Sequence, residues 1–583
     1  MSRPAAAATD GTPHAPKEQH RSARWPAALS VTLAATALGC VTTFPMVLHL
    51  DSSIYGTPGD STGAISFFWW WAYAIQHGKP LLDNSMWGAP FGADWSRQPF
   101  AVLPIVIFTP LSLLFGSTVA FNLGVLSSFP LSALFMYLLA RRMQAGTLGA
   151  TFAGLAFAFL PYHQMKATGH MFQAHMELFP ALLWLLVRWR QDGSRWNLVG
   201  AGVVLGLTTW IDYYFAFIML FLAAAFFVVN FAVPRLPGVP VVARIREHAV
   251  GVLVTGAAVL PFLPPAILLA IRPGANASQL SIVQRGLNDI DIYSVRPWEY
   301  LMPWSENPLV PAAIRSFQLQ HLHFSNGVEQ AQSLGYTVMA LALVALFTFR
   351  PRFPVILGVA IAIAGAWLAL PAHVHVLGVT VPGPATVLNH VVPFVRVYAR
   401  FGVLVMTAAT LLAGLGLSVI ASRLRAPRLR WLLVVPFLLA ALEFNRIPPT
   451  DTTTLFPAPQ EYRWLADQPA GILVEYPIIS TDIEEEILGR QYTLYQQVHL
   501  HPLLNGANPG SEADRVSRTL EPYYAAGVVD HLRSLGIRYV FVHRDIYQAH
   551  GFGLPRFVSG LQYVGSFDGG GVDAFRVSDA GAS

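Results

Sequence analysis

Long apolar segments alternate with short polar ones between residues 25 and 445. A membrane-spanning helix needs about 20 mostly apolar residues. About eleven segments approach that length: 25–50, 119–139, 147–160, 173–187, 196–211, 213–233, 250–271, 334–347, 354–370, 402–420 and 431–444. The segment 100–115 is also apolar, but it is short and contains two prolines, which indicates a re-entrant or interfacial helix. The pattern predicts an α-helical polytopic membrane protein.

The chain changes character after residue 445. Apolar runs at 472–474 and 537–542 are separated by helix-like stretches such as 511–535. Short apolar runs alternating with helical stretches are typical of a small α/β domain. We therefore expect such a domain over residues 446–583, after a membrane region that covers residues 25–445.

Positive charges indicate the side of the membrane on which each loop lies, because short loops rich in Arg and Lys stay in the cytoplasm. One arrangement puts every basic cluster on that side, including the tail 1–24, which is predicted to be disordered. It leaves four polar segments outside: 51–99, 161–172, 272–333 and 371–400. With an odd number of spans, the C-terminal domain is extracytoplasmic as well.

The composition narrows the function. Of the 583 residues 54% are hydrophobic and only 12% are charged, whereas soluble domains carry about a quarter charged residues. The single cysteine, Cys40, can form neither an intramolecular disulfide nor a thiolate cluster. The net charge of +5 comes from arginines that lie beside apolar segments. The charge therefore indicates membrane topology and not a basic face for nucleic acid.

The first external loop offers the clearest candidate for chemistry. Asp60 follows the turn-forming pair Pro58-Gly59 and precedes the aromatic run Phe67-Phe68-Trp69-Trp70-Trp71. A carboxylate at the membrane surface can act as a base or bind a cation. The alternative is that Asp60 caps the N-terminus of the helix that follows it.

Several short motifs extend over nearly the whole chain. They are Gly59-Asp60, the aromatic run, Pro90-Phe91-Gly92, Pro161-Tyr162 with Gly169-His170, Pro393-Phe394-Val395-Arg396 with Arg400-Phe401, Glu329 ahead of Leu334-Gly335, and Ser534-Leu535-Gly536-Ile537-Arg538-Tyr539. Together they resemble the GT-C superfamily of membrane glycosyltransferases, in particular the bacterial, oligosaccharyltransferase-related type that uses polyprenyl-phosphate sugars. The resemblance implies a GT-C-like helical domain with a catalytic first external loop.

In that superfamily an aspartate of the first external loop works at the catalytic centre, and Asp60 is the matching position. Attack by a hydroxyl on an anomeric carbon needs a base, which a carboxylate can provide. Related members often pair two acids there, whereas Asp60 is followed by Ser61-Thr62. The resemblance thus leaves a divalent cation open as a cofactor and implies no other.

A departing polyprenyl phosphate carries negative charge that a fixed cation can stabilise. Arg396 and Arg400, on the predicted external side, are the candidates for this role, and Glu329 is a further candidate for substrate binding. The alternative for the two arginines is an interfacial pair that contacts lipid headgroups.

A second polar cluster is expected at one external helix junction, where His163, His170, His175 and Glu177 follow one another. Their spacing is not distinctive of a metal site, so we interpret His163 and His170 as lining a substrate cavity. Asp212 lies between two apolar segments and is either a functional acid at membrane depth or part of an external turn.

These observations favour transfer of a sugar from a polyprenyl-phosphate donor to a glycan, lipid or protein acceptor on the external face of the bacterial plasma (inner) membrane. Inversion at the anomeric carbon follows from the resemblance alone. The alternatives are a transporter or flippase of lipid-linked glycans and a non-catalytic envelope assembly factor. A transporter needs polar groups along the full membrane depth, whereas the polar residues of this chain collect outside.

Overall fold

The computed structural model describes residues 24–95, 101–235, 238–264, 286–321, 323, 327–376, 378–392, 395–447, 452–478, 483–508, 510–555 and 557–578. The predicted disordered tail therefore lies outside the described residues, apart from Arg24. So do Pro393 and Phe394 of one motif.

The described residues are mainly helical. The α-helices are Arg24–Thr42, Asp60–Gln76, Val102–Phe115, Ser117–Arg142, Thr147–Phe159, Pro161–Gly169, Met171–Ala174, Leu178–Asp192, Arg195–Thr208, Tyr213–Ala232, Val241–Val259, Leu287–Ile292, Ala312–Gln320, Gly327–Gln330, Tyr336–Thr348, Arg352–Leu368, Pro384–Val391, Gly402–Arg423, Val435–Glu443, Gln460–Ala466, Ile483–His499, Glu512–Ser517, Val528–Ser534 and Arg544–Ala549.

Four helical segments are long and apolar enough to cross a membrane: Ser117–Arg142, Tyr213–Ala232, Val241–Phe262 and Tyr398–Arg423. Shorter apolar helices accompany them: Pro26–Thr42, Val102–Phe115, Thr147–Phe159, Tyr336–Thr348 and Arg352–Leu368. The chain therefore has the architecture of a helical membrane protein, and the number of about eleven spans stays a prediction.

The helix Gly402–Arg423 forms the centre of the bundle, and its residues from Gly402 to Leu417 are all buried. Glycines allow its neighbours to approach closely: a Cβ on Gly149 would lie 2.1 Å from the carbonyl oxygen of Gly414. A Cβ on Gly416 would lie 1.9 Å from the carbonyl oxygen of Leu341. Small residues at helix contacts are a common way to pack helices in a membrane.

Several boundaries differ from the predicted segments, mostly at prolines. The predicted helix 173–187 is instead Leu178–Asp192, with Pro180 in its first turn, where a missing N–H costs little. The segment 431–444 becomes a 3₁₀ helix, Pro427–Val434, followed by Val435–Glu443. The stretch 511–535 forms two short helices separated by Pro522 and Gly527. The segment 250–271 corresponds to Val241–Val259 and the 3₁₀ turn Leu260–Phe262, and residues 265–271 lie outside the described residues.

The C-terminal region contains a four-stranded mixed sheet, as expected for an α/β domain. Its strands lie in the order Ile472–Tyr476, Ile537–His543, Val572–Val577 and Leu561–Phe567. The first pair is parallel and the other two pairs are antiparallel. The remaining strands form two-stranded pairs: Ser53–Tyr55 with Thr452–Thr454, Asp83–Asn84 with Ala93–Asp94, and His373–Val376 with Val379–Pro382.

The first loop and the C-terminal domain pack against each other. The strand Ser53–Tyr55 pairs with Thr452–Thr454, and the helix Asp60–Gln76 packs on Ile483–His499. The indole N–H of Trp87 donates to Gln496 Oε1 at 2.8 Å. The loop therefore gains its shape from the far end of the chain.

The C-terminal domain contacts the helix Ser117–Arg142 at the end opposite to its basic residues. The helix Ser117–Arg142 begins at Ser117, whose hydroxyl donates to Gln497 Oε1 of the C-terminal domain at 2.8 Å. The same helix ends at Arg141 and Arg142. Because basic ends stay in the cytoplasm, the domain is expected outside.

A reporter phosphatase that folds only after export can test this orientation. We expect it to be active when it is fused behind Ser583. A matched fusion behind Arg425, in a predicted cytoplasmic loop, should be inactive, because that loop carries four arginines. Enzyme activity of both fusions in whole cells checks the prediction. An inactive fusion behind Ser583, together with a fluorescent cytoplasmic reporter at the same position, would contradict it.

Candidate active site around Asp60

Asp60 is the first residue of its helix, and Gly59 is the N-cap. Gly59 has a φ of 144°, a backbone conformation that favours glycine. The hydroxyl of Thr62 donates to the Gly59 carbonyl oxygen at 2.8 Å and accepts from the Gly59 N–H at 3.3 Å. The interpretation of Asp60 as an N-cap is therefore wrong, because Gly59 occupies the N-cap position and Asp60 lies within the helix.

The carboxylate of Asp60 contacts two side chains from distant parts of the sequence. Its Oδ2 lies 3.1 Å from Nε2 of His170, and its Oδ1 forms an ion pair with Arg490 of the C-terminal domain. The Asp60 side chain is 41% exposed, so a substrate can reach it. The carboxylate is thus held from two sides while one face stays open.

His170 is neutral in this site. Burial, together with the neighbouring Lys166 ammonium, lowers the pKa of His170 to about 3. A carboxylate only accepts hydrogen bonds, so neutral His170 donates its Nε2–H to Asp60. The imidazole therefore orients the carboxylate and adds no charge to it.

The loop reaches His170 because it packs directly on the helix Pro161–Gly169. A Cβ at Gly56, which has a φ of 116°, would lie 1.6 Å from the carbonyl oxygen of Thr168. No other residue type fits this contact. Gly56 thereby lets the loop approach the end of the helix that carries His170.

Beneath His170 lies a buried ionic triad of Lys166, Glu329 and Arg400. Glu329 Oε1 is 2.7 Å from Lys166 Nζ and 2.8 Å from an Arg400 guanidinium nitrogen, and Arg400 Nε donates to it as well. Glu329 is 2% exposed and Lys166 is fully buried. The Arg400 guanidinium also lies over the ring of Tyr214, 4.4 Å from its centroid.

The triad stays charged because its members stabilise one another. Burial alone would raise the pKa of Glu329, but the Arg400 guanidinium and the Lys166 ammonium outweigh it and hold the pKa well below its ordinary value. Burial lowers the pKa of Lys166 to about 8, against the opposing effect of Glu329. Two cations on one carboxylate give this buried cluster a net positive charge.

The two arginines predicted to bind the donor phosphate differ in their surroundings. Arg400 is buried and bound to Glu329, so it is placed to shape the site and not to meet a phosphate directly. Arg396 is partly exposed, and its guanidinium lies 5.0 Å from the ring centroid of Tyr293. Its backbone N–H donates to the Tyr214 hydroxyl at 3.3 Å. Arg396 therefore remains the candidate for contact with the donor.

The members of the predicted histidine cluster have different hydrogen-bond partners. His163 is fully buried, and its ring nitrogens lie 3.0 Å from Ser128 Oγ and 2.6 Å from the Ala158 carbonyl oxygen. His175 instead pairs with Glu177 at 2.8 Å. His163 therefore has no ring nitrogen left for a substrate, because helix packing encloses it. Of the four residues in the predicted cluster, His170 is the one that contacts Asp60.

Asp212 lies at the turn between two helices, which was one of the two interpretations of this residue. Its Oδ1 accepts from the backbone N–H of Phe215 at 2.8 Å and caps the helix Tyr213–Ala232. Its Oδ2 accepts from Gln173 Nε2 at 2.9 Å. Both oxygens are thus used in joining two helices.

Lys166 and Arg490 belong to the site although the sequence analysis did not single them out. Lys166 lies four residues before His170 on a short helical stretch, and that spacing could have indicated that they share a face. Arg490 gives no local signal, because its partner Asp60 lies near the other end of the chain.

Comparison with known proteins shows the fold. No family model and no curated protein sequence matches the chain. Among solved structures, the mycobacterial arabinofuranosyltransferase AftD aligns over 96% of this chain and 42% of its own, with a TM-score of 0.54 and 16% identity. The chain thus spans less than half the length of that enzyme.

Two structures of the oligosaccharyltransferase from Archaeoglobus fulgidus are also similar. One, AglB in complex with an inhibitory peptide and a dolichol-phosphate, aligns over 90% of this chain and 70% of its own, with a TM-score of 0.52 and 14% identity. The other, a complex with Zn and sulfate, aligns over 95% of this chain and 73% of its own, with a TM-score of 0.51 and 13% identity. The chain shares its fold with these transferases, which confirms the fold that we expected from the motifs.

Proposed function

We propose that this chain transfers a sugar from a polyprenyl-phosphate donor to a glycan, lipid or protein acceptor on the external face of the bacterial plasma membrane. The observation that carries the proposal is the exposed carboxylate of Asp60, held by neutral His170 and by Arg490 above a buried cationic cluster. A carboxylate so placed can accept a proton from a substrate hydroxyl.

Asp60 is the general base of the proposed reaction. As the acceptor oxygen forms a bond to the anomeric carbon, its proton passes to Asp60 and the bond from that carbon to the phosphate oxygen breaks. The polyprenyl phosphate leaves with the electron pair. Attack from the face opposite the leaving group inverts the anomeric carbon.

The donor is expected near Arg396. The helix Tyr213–Ala232, which contacts Arg396 through Tyr214, also contributes to an apolar cavity of about 400 Å³. The cavity is lined by Phe221, Trp367, Leu368, Leu370, Val374, Val381, Pro382, Gly383, Pro384, Val387 and Leu388. Phe221 lies two helical turns, roughly 11 Å, after Tyr214, whose hydroxyl accepts from the Arg396 N–H. This arrangement suits a phosphate at Arg396 and an apolar polyprenyl chain in the cavity.

The described residues do not fit a tightly bound divalent cation at Asp60. They contain no group of three or more His, Cys, Asp or Glu that could hold a metal ion. One oxygen of Asp60 faces Arg490, whereas Mg²⁺ and Ca²⁺ are held by several oxygen ligands. We therefore derive no step through a metal ion.

A transporter or flippase is a weaker proposal for this arrangement. The central helix Gly402–Arg423 is almost entirely apolar, and the charged cluster lies at its first turn. A path for a polar glycan would need polar groups along the depth of the bundle. A non-catalytic assembly factor would not need an exposed carboxylate that is oriented from two sides.

The direct test is transfer by the purified protein. Undecaprenyl phosphate carrying one labelled hexose or pentose is supplied with an envelope extract as acceptor, and label in the extract and free undecaprenyl phosphate are both measured. Transfer with stoichiometric release of undecaprenyl phosphate is expected. Movement of intact lipid-linked sugar across a liposome membrane, without cleavage, would instead establish the transporter.

Replacing Arg396 by Ala should weaken binding of undecaprenyl phosphate about tenfold or more, because a phosphate loses a charge-assisted partner. Binding to the purified variant is measured by titration calorimetry in detergent. The control is Arg538→Ala, which removes an exposed arginine that donates to the Ala470 carbonyl oxygen in the C-terminal domain. If both variants bind undecaprenyl phosphate with equal affinity, Arg396 is not part of the donor site.

A further inference from the structure

Arg490 reaches the candidate active site from the C-terminal domain. It lies on the helix Ile483–His499, and its guanidinium pairs with Asp60 Oδ1. Its aliphatic stem lies along Gly63, where a Cβ would be 3.5 Å from Arg490 Cδ and 3.6 Å from its Cγ. A side chain larger than that of Ala at position 63 would displace the stem. The small residue there lets Arg490 lie flat against the helix that Asp60 begins.

The helix that carries Arg490 is fixed on both sides. Toward the membrane domain, Thr493 Oγ1 lies 3.3 Å from Ser66 Oγ. Toward the sheet, the ring of Tyr492 stacks on His543 with centroids 4.9 Å apart, and His543 Nε2 lies 2.9 Å from Glu475. Arg490 therefore enters the site from a rigid position.

We propose that Arg490 is a positioning residue for the transfer reaction, through which the C-terminal domain holds Asp60 ionised and directed toward the acceptor. The inference rests on the proposed role of Asp60 as the base. Arg490 acts through Asp60, since no contact with a reacting atom is needed for this role.

A role in docking alone does not account for the pair. Arg490 is 35% exposed and Asp60 is 41% exposed, and ion pairs at such exposure add little to stability. The strand pair Ser53–Tyr55 with Thr452–Thr454 and the bond from Trp87 to Gln496 already join the two regions. The contact therefore matters more for the carboxylate than for the interface.

The other groups that face Asp60 do not replace Arg490. Among the described residues, the titratable side chain in contact with Asp60 besides Arg490 is His170, which is neutral. Behind His170, the Lys166 ammonium pairs with Glu329, which Arg400 also binds. Arg490 is thus the cation in direct contact with the proposed base.

The test measures protonation of Asp60 without requiring the natural substrate. A water-soluble carbodiimide reacts with a protonated carboxyl group, and peptide mass spectrometry gives the modified fraction of Asp60 across pH in the full-length protein. In Arg490→Gln the midpoint of Asp60 protonation should move to higher pH by about one unit. This is the low end of the range for a carboxylate beside an arginine, because the pair is partly exposed. Arg490→Lys should restore most of the shift.

The matched control is Arg518→Gln, which breaks another arginine–aspartate pair of the same domain, from Arg518 to Asp514 at 3.1 Å. Its midpoint should equal that of the parent. Gly63→Leu offers an independent approach, since it should displace the Arg490 stem and shift the midpoint as Arg490→Gln does, while Gly63→Ala leaves it unchanged. An unshifted midpoint in Arg490→Gln would overturn the inference.

Transfer assays with the labelled undecaprenyl-phosphate sugars separate the inference from the proposed function. The acid limb of the pH–rate profile should move to higher pH in Arg490→Gln, and the transfer rate should recover when the pH is raised. If transfer needs Asp60 but neither midpoint nor acid limb moves, only the role of Arg490 fails. If the midpoint moves and Asp60→Asn still transfers at the parental rate, the assignment of Asp60 as the base fails, and the positioning role of Arg490 fails with it.

Discussion

Replacing Asp60 by Asn is expected to lower the rate of sugar transfer at least about a hundredfold, within the range for a positioned acid–base group. Asn keeps the size of the side chain but cannot accept the proton of the acceptor hydroxyl. The fold should persist, because Asp60 is not the N-cap of its helix and its side chain is partly exposed. Asp60→Ala should be equally inactive and nearly as stable.

Transfer of labelled sugar by the purified variants checks this expectation, and size-exclusion chromatography confirms that each is folded. The control is Asp51→Asn, which changes an exposed acid of the same external loop that accepts from the Ser52 hydroxyl. Only the Asp60 variants should lose activity. Parental rates in Asp60→Asn would leave its carboxylate with no catalytic role.

Replacing Glu329 by Gln is expected to destabilise the protein strongly, by about 3 kcal/mol, the lower end of the range for breaking a buried ion pair. The variant leaves Lys166 and Arg400 buried without their shared carboxylate. The lower end applies because burial already lowers the pKa of Lys166 to about 8, so Lys166 can release its proton. Denaturant unfolding in mixed micelles measures the loss.

Two comparisons make the result specific. Lys166→Gln should cost less than Glu329→Gln, because Glu329 and Arg400 still neutralise each other. Glu306→Gln, at an exposed acid of the same external segment, should leave stability unchanged. If the Glu306 and Glu329 variants unfold alike, the triad is not a structural element of the site.

The long apolar helices were predictable because a spanning helix needs an apolar run of about 20 residues, which hydropathy detects. The ends of these helices were harder to predict. Pro180 lies in the first turn of the helix Leu178–Asp192, which hydropathy places earlier, because hydropathy carries no information on where a missing N–H is tolerated. The α/β domain followed from its apolar runs, although the stretch 511–535 breaks into two helices.

The site was predictable only in part. Motifs identified Asp60, and the sequence suggested Glu329 and Arg400 separately, but nothing local showed that these two bind each other or that Lys166 joins them. His163 was misassigned because a histidine on a short external segment looks the same in sequence whether it faces a cavity or the packed interior. Arg490 was missed because its role depends on how the C-terminal domain docks.

The pairing of Ser53–Tyr55 with Thr452–Thr454 has a consequence for how the protein is made. The strand that carries the chain into Asp60 is synthesised early, and its partner leaves the ribosome only after the last membrane helix. A nascent or truncated chain therefore inserts its helices before the loop has its partner strand or Arg490. The arrangement of Asp60, His170 and Arg490 can therefore form only after the chain has been synthesised beyond Arg490.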